Sequence, residues 1–171
     1  YNITGTFFLI GEVLKERKIP LTHKLHALLS QYSAHDVRDR FHRFFGGKHY
    51  IDDKALVNPR RRFDDVVTSN LKEALISLPP DESELFINEL FARSYSERAL
   101  VNSLFLTPSD ARTMQAGGME IGSHSYAHRA FDTLDPEVQA ADISASQRAI
   151  GEITGKEPVL FSYPNGRFTQ E

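Results

Sequence analysis

Two histidines four residues apart, His124 and His128, are the side chains of this 171-residue chain best suited to chemistry. They follow Gly117-Gly118-Met119-Glu120-Ile121-Gly122-Ser123, an apolar run that reads as a short strand. Both imidazoles are thus delivered at one strand's carboxyl end. On a helical turn, that spacing puts the two side chains on one face. Two neutral imidazoles there suit a divalent metal ion, with water and an oxygen ligand filling its other positions. Two partly exposed loop histidines without a ligand are the competing reading.

The remaining candidates are more ordinary. Phe161-Ser162-Tyr163-Pro164-Asn165-Gly166 reads as a strand entering a sharp turn, where a backbone N–H could face a developing oxyanion, or where there is simply a good turn. Two acidic pairs, Asp52-Asp53 and Asp64-Asp65, follow no strand. Asp64-Asp65 opens an amphipathic helix, so capping and solvation account for it better than catalysis does. A basic stretch rich in aromatic residues (Arg38, Arg40, Phe41, Arg43, Phe44, Phe45, Lys48, Tyr50) has its aromatics spaced like a helix core. It reads as a solvated basic face, or a surface for an anionic substrate, ahead of a nucleic-acid site. The other five histidines are scattered and read as structural.

The elements that must position these residues follow an α/β order. Thr4 to Ile10 is a β-branched and aromatic run that predicts a strand buried on both faces. Glu12 to Lys18 is a short polar helix or turn, ended by Pro20. Residues 21–106 form a mainly helical insertion. Its helices are expected from Thr22 as a cap, over Ala34 to Phe45, over Phe63 to Leu78, and over Ser83 to Tyr95 through Leu85, Phe86, Leu90 and Phe91. Thr107-Pro108 and Asp135-Pro136 each open a further helix, cap then proline. Met119 to Gly122 and Val159 to Tyr163 are the other two strands. Three parallel neighbours follow from this order, with chemistry at their carboxyl ends. The chain has 40% hydrophobic and 25% charged residues and no cysteine, so it is an ordinary globular sequence without disulfides or thiolate ligands. No apolar run is long enough to span a bilayer. The cytoplasm and the cell envelope both fit, the cytoplasm ahead.

Taken in order, three pieces resemble the polysaccharide deacetylases of the fourth carbohydrate esterase family, which include chitin, peptidoglycan and nodulation-factor deacetylases. Gly5-Thr6-Phe7-Phe8-Leu9 resembles the family's second strand. Glu120 to His128 resembles its His-Ser/Thr-x-x-His metal motif with an Ile-Gly-Ser lead-in. Ile153-Thr154-Gly155-Lys156 followed by Phe161 to Gly166 resembles the next helix end and the third motif. The resemblance implies a distorted (β/α)7 barrel, present here as a partial barrel with a large, mainly helical insertion over residues 21–106 of a single-domain fragment. It also implies His124 and His128 as metal ligands, with Zn²⁺ the expected ion. The backbone N–H of Asn165 would be an oxyanion donor, and Tyr163 and Pro164 would line the groove. The activity implied is metal-dependent hydrolysis of acetyl groups from an N-acetylated (or O-acetylated) sugar or polysaccharide. A non-catalytic carbohydrate-binding relative is the alternative.

The sequence departs from the family pattern in three ways. The family's Asp-Asp motif, which supplies a metal ligand and the base, belongs before Thr6-Phe7-Phe8, and this chain begins after that point. The third motif often carries an arginine that orients the base; Ser162 occupies that position. The acetyl-pocket and catalytic-acid motifs belong beyond Glu171. The expectation is a fragment inactive alone, whose strand edges are open to pairing with a second copy.

Overall fold

The computed structural model describes residues 3–61 and 63–168. In chain order these form β1 (Thr6–Leu9), α1 (Gly11–Glu16), α2 (Leu21–Gln31), α3 (Ala34–Phe44), α4 (Val66–Ser77), α5 (Pro80–Ala92), α6 (Glu97–Leu104), α7 (Pro108–Ala116), β2 (Glu120–Ser123) and α8 (Pro136–Thr154). The chain divides into two compact units, one from Tyr1–Pro20 with Ser96–Glu171 and one from Leu21–Tyr95.

In the first unit, β1 and β2 pair in parallel with Thr6 opposite Glu120 and Leu9 opposite Ser123. The close approach needs Gly122. A Cβ there would meet the Phe8 ring at 2.6 Å and the Leu160 carbonyl at 3.2 Å. Helix α8 lies against α1, α7 and β2. Their shared core is Leu9, Leu14, Ala111, Ile121 and Ile150, with Met114 and Ile153 packed around it. Helix α7 starts as its sequence predicts. Thr107 accepts from the Asp110 N–H, and the Asp110 carboxylate accepts from the Thr107 N–H, a reciprocal cap ahead of Pro108. Asp135 occupies the equivalent position at α8 without a side-chain cap bond. At its other end α8 closes on Gly155 in the left-handed conformation, φ 81°.

Several expectations for this unit need correction. β1 is not buried on both faces: Phe7 and Phe8 are 42% and 40% exposed, because among the described residues β1 has a single strand neighbour, β2. Val159 to Tyr163 is not a strand. It makes one bridge, Phe161 to Ser123, closed by Ser123 N–H to Leu160 O and Ser162 N–H to Ser123 O. Pro158 and Pro164 flank it and have no N–H to extend the ladder. The described residues therefore form a mainly helical α/β fold with a two-stranded sheet, which is too small to close a barrel. Helix α6 has no counterpart in the sequence expectations, since Val101 is its single buried residue. It is held instead by Arg17, whose guanidinium donates to Val101 O at 3.2 Å and Leu106 O at 2.7 Å.

The second unit contains α2 to α5, with α2 packed on α5 and α3 on α4. Its core follows helical spacing: Leu25 and Leu28, Val37 and Phe41, Val67, Leu71 and Leu75, then Phe86, Ile87, Leu90 and Phe91 are all buried. Ile87 takes the place expected of Leu85, which is 63% exposed. Two starts also shift. Helix α2 begins at Leu21, leaving Thr22 inside it, and α4 begins at Val66 because Asp65 caps it, accepting from Thr68 N–H at 2.9 Å. The long connection before α4 is pinned by buried Asn70. Its amide donates to Asp52 O and Ala55 O and accepts from Val57 N–H, all within 2.9 Å. Phe41 is fully buried and packs edge-on to Phe86 at 5.4 Å between ring centroids. Replacing Phe41 with Ala is expected to destabilise the chain by about 3–5 kcal/mol, read from the denaturant midpoint.

Candidate functional site

The residue after β2 is His124, whose N–H extends the ladder by donating to Leu9 O at 2.8 Å. The chain then turns through two non-glycine residues in the left-handed region, Ser125 at φ 67° and His128 at φ 56°. His124 and His128 are thus brought together by a left-handed turn and not by a helical one. Such conformations cost on the order of 1 kcal/mol each and persist only where surroundings enforce them.

Here the enforcement comes from every side of the loop. Ser125 Oγ accepts from His128 N–H at 2.8 Å. Ser125 O accepts from Gly11 N–H and from Ser146 Oγ, both at 3.0 Å, and Tyr126 O accepts from Glu12 N–H at 2.9 Å. The first amides of α1 thus find carbonyl partners in the histidine loop. The amides of the loop turn the other way. Tyr126 N–H and Ala127 N–H donate to the two oxygens of Asp142 on α8, at 2.7 and 3.1 Å. One turn along α8, Ser146 also bonds Ser123 Oγ at 2.8 Å. The Tyr126 hydroxyl donates to Glu16, and burial, followed by that bond, pushes its pKa up to about 12.

The imidazoles sit at the open end of this scaffold, half-buried, with ring centroids 4.8 Å apart and planes 72° apart. His124 Nδ1 lies 2.8 Å from Ser162 O. A carbonyl only accepts, so Nδ1 carries the proton, and in the neutral ring Nε2 then keeps its lone pair, as in a metal-ligating histidine. Two imidazoles this close could take two positions of a divalent ion's shell. Among the described residues, no third His, Cys, Asp or Glu joins them.

The turn after Phe161 lies beside this loop. Asn165 is exposed and left-handed, φ 57°. Tyr163 is 42% exposed and packs on Phe131, Phe161 and Phe168, while Pro164 is buried. Arg167 closes the turn on Asp132, with Nε donating at 2.7 Å. The acidic pairs are structural: Asp65 caps α4, Asp64 pairs with Lys72 and Asp53 with Arg38.

Sequence reasoning missed Asp142, Ser146 and the role of Gly11. The available signal was Asp142 and Ser146 at i and i+4, beside the apolar stripe of α8. Gly11 is required by proximity, because a Cβ would meet the Tyr126 ring at 2.7 Å and Ser146 Cα at 3.2 Å. Gly11→Ala is expected to destabilise the chain by about 1–3 kcal/mol and to shift the imidazole NMR signals of His124 and His128. Burial raises the Asp142 carboxyl above its ordinary 3.8, against the opposing pull of the two amides and Arg129. With the folded value above the unfolded one, the proton-linked part of its contribution to stability is full below pH 3.8 and is lost as pH rises through the raised value, while the two amide bonds remain. Compared with Asp142→Asn, which does not titrate, the native chain's relative stability is expected to fall over that window. Denaturation at a series of pH values measures it, and a difference growing with pH would contradict the assignment.

A search of curated proteins finds no match. Two solved structures align over a minor part of the chain. One is a CE4 family pseudoenzyme from Bacillus anthracis, with 25% identity and TM-score 0.36, covering 37% of this chain and 22% of that one. The other is a mutant of that pseudoenzyme with restored enzymatic activity, with 26% identity and TM-score 0.35, covering 36% of this chain and 23% of that one. The chain thus spans less than a quarter of either structure's length over the aligned part. A family model described as polysaccharide deacetylase matches residues 62–171, taking in β2, the histidine loop, α8 and the Pro164 turn, with β1 outside it. That match covers well over half of the chain, which belongs to the polysaccharide deacetylase family.

Proposed function

We propose that this chain supplies the two histidine ligands of a metal-dependent deacetylase, one that removes acetyl groups from an N-acetylated (or O-acetylated) sugar or polysaccharide. The observation that carries this reading is the His124 Nδ1 contact with Ser162 O, beside His128 at 4.8 Å. It leaves Nε2 of His124 as an electron-pair donor on a rigid strand end. His124 and His128 would hold a divalent ion, Zn²⁺ being the expected one. When bound, such an ion polarises a carbonyl and lowers the pKa of water. Ser162 O fixes the His124 tautomer, and Asp142 with Ser125 fixes the separation of the two rings. Asn165, on its exposed turn, would offer its N–H to the acetyl oxygen as negative charge develops there. Tyr163 would present its exposed ring to the sugar. Hydrolysis also needs a base and a third metal ligand, which the histidine pair does not itself provide, so the activity is a property of the whole protein.

The test uses the full-length protein with an N-acetylated chitooligosaccharide, measuring acetate release. Chelation is expected to abolish release and added Zn²⁺ to restore it. His124→Ala and His128→Ala are each expected to lower kcat/KM by more than roughly 100-fold, beyond the loss typical of groups that merely orient a ligand. Release that survives either substitution, or that ignores chelator, would overturn the proposal. Oligosaccharide binding without acetate release would establish the non-catalytic carbohydrate-binding alternative.

A further inference from the structure

The second unit carries an arrangement that the histidine site does not use. A groove of about 440 Å³ is lined by α3, α5 and Arg93. Beneath it lie Phe86 and Leu90, both buried, and the half-buried Phe44, which meets Phe86 edge-on at 5.4 Å. Its rim is cationic, with Arg40 and Arg43 from α3 and Arg93 just past α5; Glu89 is the one acid among the lining residues. Arg93 and Glu89 pair with each other one helical turn apart, which leaves the rim with the charge of Arg40 and Arg43.

Those two arginines differ from most of the bases around them. Arg38, Lys48, Arg61 and Lys72 each lie within 3.0 Å of a carboxylate. Among the described residues, neither Arg40 nor Arg43 has a carboxylate partner. They stand three residues apart on α3 and so neighbour one another on its surface. Arg40 is also held in place, its guanidinium 5.0 Å over the Tyr32 ring.

We propose that this groove binds a molecule of sugar size that carries a phosphate or carboxylate. The planar guanidinium forks of Arg40 and Arg43 match the oxygens of such a group, and a bound anion relieves the repulsion between two adjacent cations. Phe44, half-buried in the groove wall, takes the apolar face of the body that carries it. The groove is open to solvent and has room for a body of that size. The site requires nothing from His124 or His128, so its failure would leave the deacetylase reading standing.

Isothermal titration with glucose 6-phosphate, with glucose as the neutral control, tests the site on the whole chain. Saturable binding of the phosphate, absent with glucose, is expected. Arg40→Ala and Arg43→Ala should each weaken it roughly tenfold or more, the loss typical of a hydrogen-bonded charged group. Arg40→Lys should retain part of the affinity, because charge is kept and the fork is lost. Arg60→Ala, which removes an exposed base outside the groove, should leave affinity unchanged. Circular dichroism of each variant controls for folding. A second pair of probes, galacturonate and polygalacturonate, identifies the source. Tighter binding of the polymer per site assigns the groove to an anionic chain, and equal binding assigns it to a free small molecule. No saturable binding of either class, equal binding of glucose, or an Arg60→Ala loss matching that of Arg40→Ala would overturn the proposal.

Discussion

The histidine pair depends on one carboxylate. Asp142 receives both amides between Ser125 and His128, and without that acceptor two N–H groups would point at a helix that gives them nothing. A buried carboxylate accepting two backbone amides is one of the stronger anchors available to a loop. The opposite side of the loop is held as firmly. Its carbonyls accept from the opening turn of α1, so a helix end that needs partners and a loop that needs anchoring satisfy each other. The left-handed residues Ser125 and His128 are the strain that this double fastening sustains. The site is therefore built by helices as much as by the strand that delivers it, and α8 is its main support.

How far the sequence foretold this depends on which residues are considered. Helix α7 was legible to the residue because Thr107-Pro108 and Asp110 are local signals, and local signals need no knowledge of partners. The helices of the second unit were legible from apolar spacing, with errors of a few residues at their ends where a cap such as Asp65 decides the start. The strands were legible as segments and less so as structure. Phe7, Phe8 and Val159 have strand-like chemistry, but pairing is set by neighbours, and among the described residues β1 pairs with β2 alone. Helix α6 was invisible because its stability comes from Arg17, far earlier in the chain. In the site, His124 and His128 announced themselves by type and position. Asp142 did not, since an acid in a helix usually faces water and nothing local reveals that two distant amides arrive above it.

The same contrast separates the two kinds of acidic residue in this chain. Asp52, Asp53, Asp64 and Asp65 stand in conspicuous pairs yet serve caps, turns and ion pairs. Asp142 stands alone and organises the site. Paired acids attract attention because catalysis uses them, but a carboxylate's role follows from what burial removes and what hydrogen bonds return. Burial is the larger influence at Asp142 and raises its pKa, whereas at Asp65 the bonds to Thr68 dominate and lower it.

Fastening a five-residue loop at this many points leaves it no slack. Ser125 and Tyr126 present carbonyls to α1, Tyr126 and Ala127 present amides to Asp142, and His128 is tied back to Ser125. Each residue between the imidazoles has a direction assigned to it. An added residue would send one of those groups to the wrong side, and a deleted one would leave an anchor empty. The spacing of the two histidines is thus a mechanical dimension of the protein, set by the distance between two helices. The length of the loop is therefore as fixed as the identity of Ser125, whose hydroxyl holds the second histidine.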